Sequence, residues 1–175
     1  MKQRFDTSAI NLDRLMLRAN ELSKKGLGLT APNPVVGAVI VDSNGDEIAS
    51  GFHAGGNHAE IVAIEAAKKS GRTDFSDCAI IITLEPCNHT GRTPPCVDAL
   101  LAAKPAKVII AMVDPNPLVA GKGLERLKAA GIEVQCGLME SEAQALNRGF
   151  VSRMTRGLPW VRLKIATSLD GKTAL

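Results

Sequence analysis

The chain has 175 residues, a length that fits one ordinary domain with at most part of a second. Its net charge of +3 and its aromatic content of 3% argue against a nucleic-acid-binding surface, which needs concentrated positive charge and rings that stack on bases. No run approaches the roughly 18 apolar residues of a membrane span, and the charged N-terminus lacks the apolar core of a secretory signal. We therefore expect a cytoplasmic protein that binds neither nucleic acid nor membrane.

Helical and strand patterns alternate along the chain, which favours an α/β fold. We expect a three-layer α/β/α sandwich whose sheet is covered on both faces, and an early hairpin makes that sheet mixed. In chain order the patterns predict a helix at 12–25, strands at 35–41 and 47–52, a helix at 58–69, a strand at 78–84, a helix at 94–103, a strand at 107–113, a helix at 123–130, a short strand at 132–136 and a helix at 140–156.

The C-terminal tail departs from this alternation. After the residues RGLP a new apolar strand pattern begins, WVRLKIATSLDGKTAL, although the preceding helix already completes the alternation. We place a domain boundary here, with residues 1–157 forming the first domain and residues 158–175 starting a second one.

A histidine and a glutamate stand together in the stretch GNHAEIVAIEAA, at the start of a predicted helix. About thirty residues downstream, Cys87 follows a predicted strand and Cys96 starts the next predicted helix. Helix N-termini carry partial positive charge, which lowers thiol pKa values. With His58 the two cysteines form a Cys₂His set, and zinc is the metal that suits it.

Three protein ligands leave the fourth tetrahedral position of zinc open for water, as in catalytic zinc sites. Glu60 lies in the first helical turn, where its carboxylate can face the metal without binding it. There it can take a proton from water and deliver it to a leaving amine. The order of residues matches the pattern H-x-E followed by P-C-x-x-C of zinc nucleobase deaminases, except that eight residues rather than two separate the cysteines here.

Simpler interpretations of these residues remain open at this point. A structural zinc would need a fourth ligand, and His89 is the candidate because it lies two residues after Cys87. A redox pair of Cys87 and Cys96 is also possible, but it leaves the His-Ala-Glu motif unexplained. Cys78 and Cys136 lie in strand patterns and are expected to be ordinary core residues.

Five segments together extend over nearly the whole chain: APNPVVGAVIV, HAE, TLEPCNHTGRTPPC, DPNPLVAGKG and LKIATSLDGKTA. In this order they resemble the bifunctional deaminase/reductase family of bacterial riboflavin biosynthesis. The resemblance implies a cytidine-deaminase-like fold with zinc held by His58, Cys87 and Cys96, and Glu60 as proton shuttle. It also implies hydrolysis of 2,5-diamino-6-ribosylamino-4(3H)-pyrimidinone 5′-phosphate with release of ammonia, in a homo-oligomer, either dimer or tetramer.

Four further residues are candidates for contacts with this small phosphorylated pyrimidine. Asn33, between two prolines, can read a ring edge with its amide, although a turn residue looks the same. His53 can contact ligand or be a structural histidine. Arg92, in NHTGRT, offers a forked donor for phosphate or ribose, or a solvated loop charge. Asn116, in DPNP, is similar to a ligand-contacting asparagine of the family; without the resemblance it would be a turn residue.

In the same family a reductase domain that uses NADPH follows the deaminase domain. The segment KIATSLDGK resembles its first strand and turn, with Ala166 and Ser168 near the nicotinamide cofactor. About fifteen residues cannot build a dinucleotide pocket, so we expect deaminase activity and no reductase activity from this polypeptide. A zinc deaminase acting on another base is the alternative enzyme, and a structural zinc module is the non-enzyme alternative.

Overall fold

The computed structural model describes residues 5–91, 94–117 and 119–173. Every element predicted before the tail is found, and most strands are shorter than predicted. In chain order the elements are α1 (Leu12–Lys24), β1 (Gly37–Val41), β2 (Glu47–Phe52), α2 (Ala59–Lys69), β3 (Ala79–Ile82), α3 (Cys96–Ala103), β4 (Lys107–Ile110), α4 (Lys122–Ala129), β5 (Glu133–Cys136), α5 (Glu140–Leu146) and α6 (Arg148–Arg156).

The five strands form one mixed sheet in the order β2-β1-β3-β4-β5. β1 is antiparallel to both β2 and β3, whereas β3, β4 and β5 are parallel. The hairpin between β1 and β2 closes through Asp42, whose carboxylate accepts the N–H groups of Asn44 and Asp46 at 2.8 and 3.0 Å. Gly45 supplies the positive φ of +85° that this turn requires.

The sheet is buried on both faces, which confirms the three-layer α/β/α sandwich. Along β1, Ala38 and Ile40 belong to one hydrophobic core and Val39 and Val41 to the other, because successive side chains of a strand point to opposite faces. Helices α2, α3 and α4 cover the first face. Helices α1, α5 and α6 contribute to the core on the second face.

The predicted C-terminal helix is interrupted at Asn147, which separates α5 from α6. Asn147 is buried, and its side-chain amide makes two hydrogen bonds with the backbone of Val35. The bond to a distant loop explains why the chain bends here, although the local sequence reads as one continuous helix.

Two expectations for the rest of the chain are wrong. Cys136 is exposed at the end of an edge strand, so only Cys78 of the two predicted core cysteines is buried. The apolar strand predicted after RGLP is not found among residues 158–173: Val161 and Leu163 are 80% and 78% exposed. A strand needs a neighbouring strand for its backbone hydrogen bonds, and none of the described residues provides one. None of the described helices is long and apolar enough to span a bilayer.

Candidate metal centre

Two helix N-termini and one loop bring the His-Cys-Cys set together. His58 is the N-terminal cap of α2, and Cys96 is the first residue of α3. Cys87 lies in the loop after β3, and its Sγ accepts the backbone N–H of Cys96 at 3.3 Å. The thiol of Cys87 therefore faces the positive end of α3, although Cys87 itself is not helical.

The three side chains present their ligand atoms to one point. Nδ1 of His58 lies 3.1 Å from Sγ of Cys96 and 3.6 Å from Sγ of Cys87, and all three ligand atoms lie within 4.8 Å of one another. In a tetrahedral zinc site with bond lengths of about 2.1–2.3 Å, ligand atoms are roughly 3.5–3.8 Å apart. The cluster thus has the donor atoms of a Cys₂His zinc site, at separations close to those that such a site needs.

The pKa values of the three clustered side chains depend on one another. Hydrogen bonds from Cys96 and His58 lower the pKa of the Cys87 thiol to about 4. The hydrogen bond that the Cys96 thiol donates to Cys87 raises the pKa of Cys96, and burial and the charges of Glu60 and Cys87 raise it further. The hydrogen bond to Cys87 also raises the pKa of His58. A divalent cation removes the repulsion between two thiolates and allows both to bind as anions.

Glu60 lies in the first turn of α2, two residues after His58, and only 3% of its surface is exposed. Burial raises the pKa of its carboxyl to about 7, and the charge of Cys87 adds to the rise while that of His58 opposes it. A carboxyl that exchanges its proton near neutral pH is suited to act as both base and acid.

A cavity of about 600 Å³ opens beside this cluster. His58, Glu60 and Cys87 lie on its wall, and most of the predicted substrate residues join them: Asn33, His53 and Asn116. Cavities of this size accommodate small ligands.

Residues 10–112 match the family described as "Cytidine and deoxycytidylate deaminase zinc-binding region". The chain belongs to this family. It is 51% identical over 164 residues to the riboflavin biosynthesis protein RibD of Escherichia coli. The matched region covers 91% of this chain and 43% of the Escherichia coli protein. The chain therefore spans less than half the length of this curated relative.

Solved structures give the same result for the fold. RibD of Acinetobacter baumannii superposes with a TM-score of 0.85 at 50% identity, over 93% of this chain and 45% of that one. The diaminohydroxyphosphoribosylaminopyrimidine deaminase/5-amino-6-(5-phosphoribosylamino)uracil reductase of Thermotoga maritima gives 0.85 at 47% identity, over 91% and 46%. The cytidine-deaminase-like fold expected from the sequence is confirmed.

Among the predicted substrate residues that the structure describes, His53 is the most buried, with 5% exposure. Its Nδ1 lies 3.2 Å from the carbonyl oxygen of Asn57, to which it can donate a hydrogen bond. That tautomer leaves Nε2 as an acceptor, and among the described residues this buried nitrogen has no partner. The His53 ring also packs edge-on against His58, with centroids 5.2 Å apart, and so contacts a residue of the cluster.

The two predicted asparagines lie on loops that are held by local hydrogen bonds. The backbone N–H of Asn33 donates to the carbonyl of Thr30 at 2.8 Å. The backbone N–H of Asn116 donates to the carboxylate of Asp114 at 2.8 Å, and its carbonyl accepts two N–H groups from residues 119 and 120. Both loops reach the cavity from the same end of the sheet as the metal cluster.

The remaining predicted residues do not join the metal cluster as far as the structure describes them. Arg92 lies outside the described residues. Ala166 and Ser168 are in the exposed tail and are absent from the cavity wall as described. His89 lines the cavity but is exposed, and in the described part of the chain it does not join the metal cluster. Within the part of the chain that the structure describes, the geometry therefore gives no fourth protein ligand of the kind that a closed structural zinc needs.

Several wall residues were assigned no role from the sequence. Glu85 lies inside the motif TLEPC, where only the cysteine was interpreted, and Asp114 precedes the DPNP asparagine by two residues. Helix α6 contributes Phe150, Arg153 and Met154. Their i, i+3, i+4 spacing marks one face of a helix, and that spacing was the only available signal.

Proposed function

We propose that this chain carries out the zinc-dependent hydrolytic deamination of 2,5-diamino-6-ribosylamino-4(3H)-pyrimidinone 5′-phosphate in riboflavin biosynthesis. The observation that carries the proposal is a Cys₂His cluster with a buried carboxyl, Glu60, on the wall of one cavity. The similarity to RibD proteins supports the substrate. The similar Thermotoga maritima protein is a diaminohydroxyphosphoribosylaminopyrimidine deaminase, which supports the same class of substrate here.

His58, Cys87 and Cys96 hold the zinc in this proposal. When bound, zinc supplies the Lewis acidity that lowers the pKa of water and makes it a nucleophile at neutral pH. The chain fixes these three side chains from two helix N-termini and one loop, beside the cavity that would receive the pyrimidine.

Glu60 moves the proton. Its carboxylate takes a proton from the attacking water while the oxygen adds to the ring carbon that carries the amino group. It then gives that proton to the departing nitrogen, the C–N bond breaks and ammonia leaves. The proton that remained on the added oxygen passes to the adjacent ring nitrogen, so the ring carbon becomes a carbonyl. A pKa near 7 equips Glu60 for both transfers, because neither protonation state is strongly disfavoured.

The cavity residues orient the substrate in this proposal. Asn33 and Asn116 present amides to ring or ribose groups, and Nε2 of His53 accepts a hydrogen bond from the ligand. Arg92 remains our candidate for the phosphate.

The tail and the assembly belong to the proposal as well. Residues 158–175 begin the reductase unit that follows the deaminase unit in this family, with Ala166 and Ser168 serving an NADPH site only in a longer chain. A homo-oligomer and a cytoplasmic location stay predictions.

The proposal is tested by measuring zinc content and ammonia release with the pyrimidinone phosphate, for the wild type, Glu60→Gln and Glu65→Gln. Glu65 is a matched control because it is an exposed glutamate on the same helix. We expect one zinc in all three proteins and loss of ammonia release only in Glu60→Gln.

Other outcomes would contradict specific parts of the proposal. Zinc without ammonia release in the wild type would mean a different base as substrate, such as cytidine, or a structural zinc. Full activity in Glu60→Gln would remove the proton shuttle. Folded protein that binds no zinc would refute the proposal as a whole.

A further inference from the structure

Glu85 is a buried carboxylate that holds backbone rather than substrate. It is 3% exposed and accepts three backbone N–H groups. Its Oε2 accepts from Asp114 at 3.1 Å and from Gly121 at 2.9 Å, and its Oε1 accepts from Gly123 at 2.9 Å. Both carboxylate oxygens are therefore used on one loop and the helix that follows it.

Two of these donors belong to the N-terminus of α4. Gly121 is the cap residue, with φ of +80°, and no side chain of its own caps the helix. Glu85 supplies that cap from 36 residues earlier in the chain. Its negative charge also lies at the positive end of the helix, where a carboxylate is stabilising.

The same carboxylate closes the loop between β4 and α4. Asp114 lies in the first part of this loop and Gly121 ends it, and one oxygen of Glu85 accepts the N–H groups of both. Asn116 lies between these two points, on the cavity wall. The position of Asn116 thus depends on a residue that precedes the proposed zinc ligand Cys87 by only two positions.

Close packing leaves this arrangement little freedom. A Cβ atom at Gly123 would lie 2.5 Å from the carbonyl oxygen of Pro86 and 3.0 Å from Oε1 of Glu85. The backbone N–H of Glu85 also donates to Met112 at 2.9 Å, just after β4. The N-terminus of helix α4 therefore packs directly against Glu85 and Pro86, which lead into the loop that carries Cys87.

We propose that Glu85 is a positioning residue. By binding the N–H groups of Asp114 and Gly121, it holds the loop segment that carries Asn116 against the loop that carries Cys87, so that Asn116 contacts the substrate when its ring lies at the zinc site. The inference rests on the proposed function, in which Asn116 contacts the pyrimidine nucleotide. It assigns to Glu85 no contact with the reacting atoms.

The test is Glu85→Gln, which keeps the shape of the side chain and places an NH₂ group against backbone N–H donors. We expect KM for the pyrimidinone phosphate to rise at least tenfold, with kcat within threefold and zinc content unchanged. A loss of zinc or an unchanged KM would overturn the proposal, because the residue would then serve the metal or only the fold.

A double-mutant cycle with Asn116→Ala tests whether Glu85 acts through that residue. In the Asn116→Ala background, Glu85→Gln should change KM less than threefold. An equal effect in both backgrounds would contradict the assignment, because independent sites contribute additively. Gly123→Ala offers a second route if Glu85→Gln does not fold, since it displaces α4 from an intact carboxylate and should raise KM in the same way.

Amide hydrogen exchange provides a readout that does not depend on activity. Exchange at residues 114, 121 and 123 should become at least tenfold faster in Glu85→Gln than in the wild type, with the amides of β1 as the internal control. Unchanged exchange would refute the positioning role. If instead the wild type releases no ammonia while these amides respond as expected, the proposed function fails and the structural role of Glu85 stands.

Discussion

The amide of Asn147 joins the C-terminal helices to the loop that carries Asn33. Its Oδ1 accepts the N–H of Val35 at 2.8 Å, and its Nδ2 donates to the carbonyl of the same residue at 3.0 Å. Val35 is 5% exposed and Asn147 is 5% exposed, so both bonds are shielded from water. This pair of bonds spans 112 residues of sequence and makes Asn147→Ala an informative perturbation.

The size of the effect follows from the groups that lose their partners. Asn147→Ala leaves one buried N–H and one buried carbonyl of Val35 unpaired, and each such group costs about 1–3 kcal/mol. Allowing for some entry of water, we expect the free energy of unfolding to fall by about 3 kcal/mol. For a domain of this size that corresponds to a decrease in Tm of about 6–12 °C.

Urea unfolding followed by circular dichroism measures this loss, with Gln144→Ala as the control. Gln144 is an exposed amide on the adjoining helix, and its side chain bonds only to Glu140 among the described contacts. Its removal should change stability by less than about 0.5 kcal/mol. A decrease in the free energy of unfolding below about 1 kcal/mol for Asn147→Ala would refute the reasoning, because two backbone groups buried without partners should cost more than that.

Two further predictions concern packing and metal. Gly37→Ala should reduce the free energy of unfolding by about 3 kcal/mol or more, because its Cβ would lie 2.0 Å from the backbone oxygen of Ala19 in α1. As the control, a Cβ at Gly149 meets no atom within 4 Å, so Gly149→Ala should be neutral or stabilising by up to about 1 kcal/mol in urea unfolding. Similar losses of stability in both variants would contradict this explanation. Removing zinc with a chelator should lower Tm, since free zinc at 100 times Kd stabilises the folded state by about 2.7 kcal/mol, and adding zinc back should restore the original Tm. If a Cys96→Ser variant showed the same zinc-dependent change in Tm, the stabilising metal would bind elsewhere.

The layers of the fold were predictable because they rest on periodic patterns. Strands with apolar residues at every position, such as β1 with five buried residues, can only lie inside a sandwich. The break at Asn147 was not predictable, because α5 and α6 each have a helical sequence and the cause lies 112 residues away. The predicted strand after RGLP failed for a related reason, since a strand pattern does not show whether a partner strand is present.

The metal cluster was predictable for a different reason. His58, Cys87 and Cys96 are rare residue types that stand at the junctions of predicted elements, and the sheet brings those junctions to one end. The role of Glu85 was not predictable although the residue lies in the motif TLEPC, because that role depends on backbone N–H groups, which no residue type reveals. The α6 residues on the cavity wall carry no motif at all.

Asn147 and Glu85 together explain how the cavity keeps its shape. Much of the wall is formed by loops, and loops without regular hydrogen bonding would ordinarily move. Here two side chains take the place of regular bonding: Asn147 binds the loop before β1, and Glu85 binds the loop after β4. Each bonds to backbone groups, so the bond survives when nearby side chains change. The loops that carry Asn33 and Asn116 are thereby held in place without a ligand. If they contact substrate as proposed, the preformed site avoids the entropy cost of ordering loops on binding.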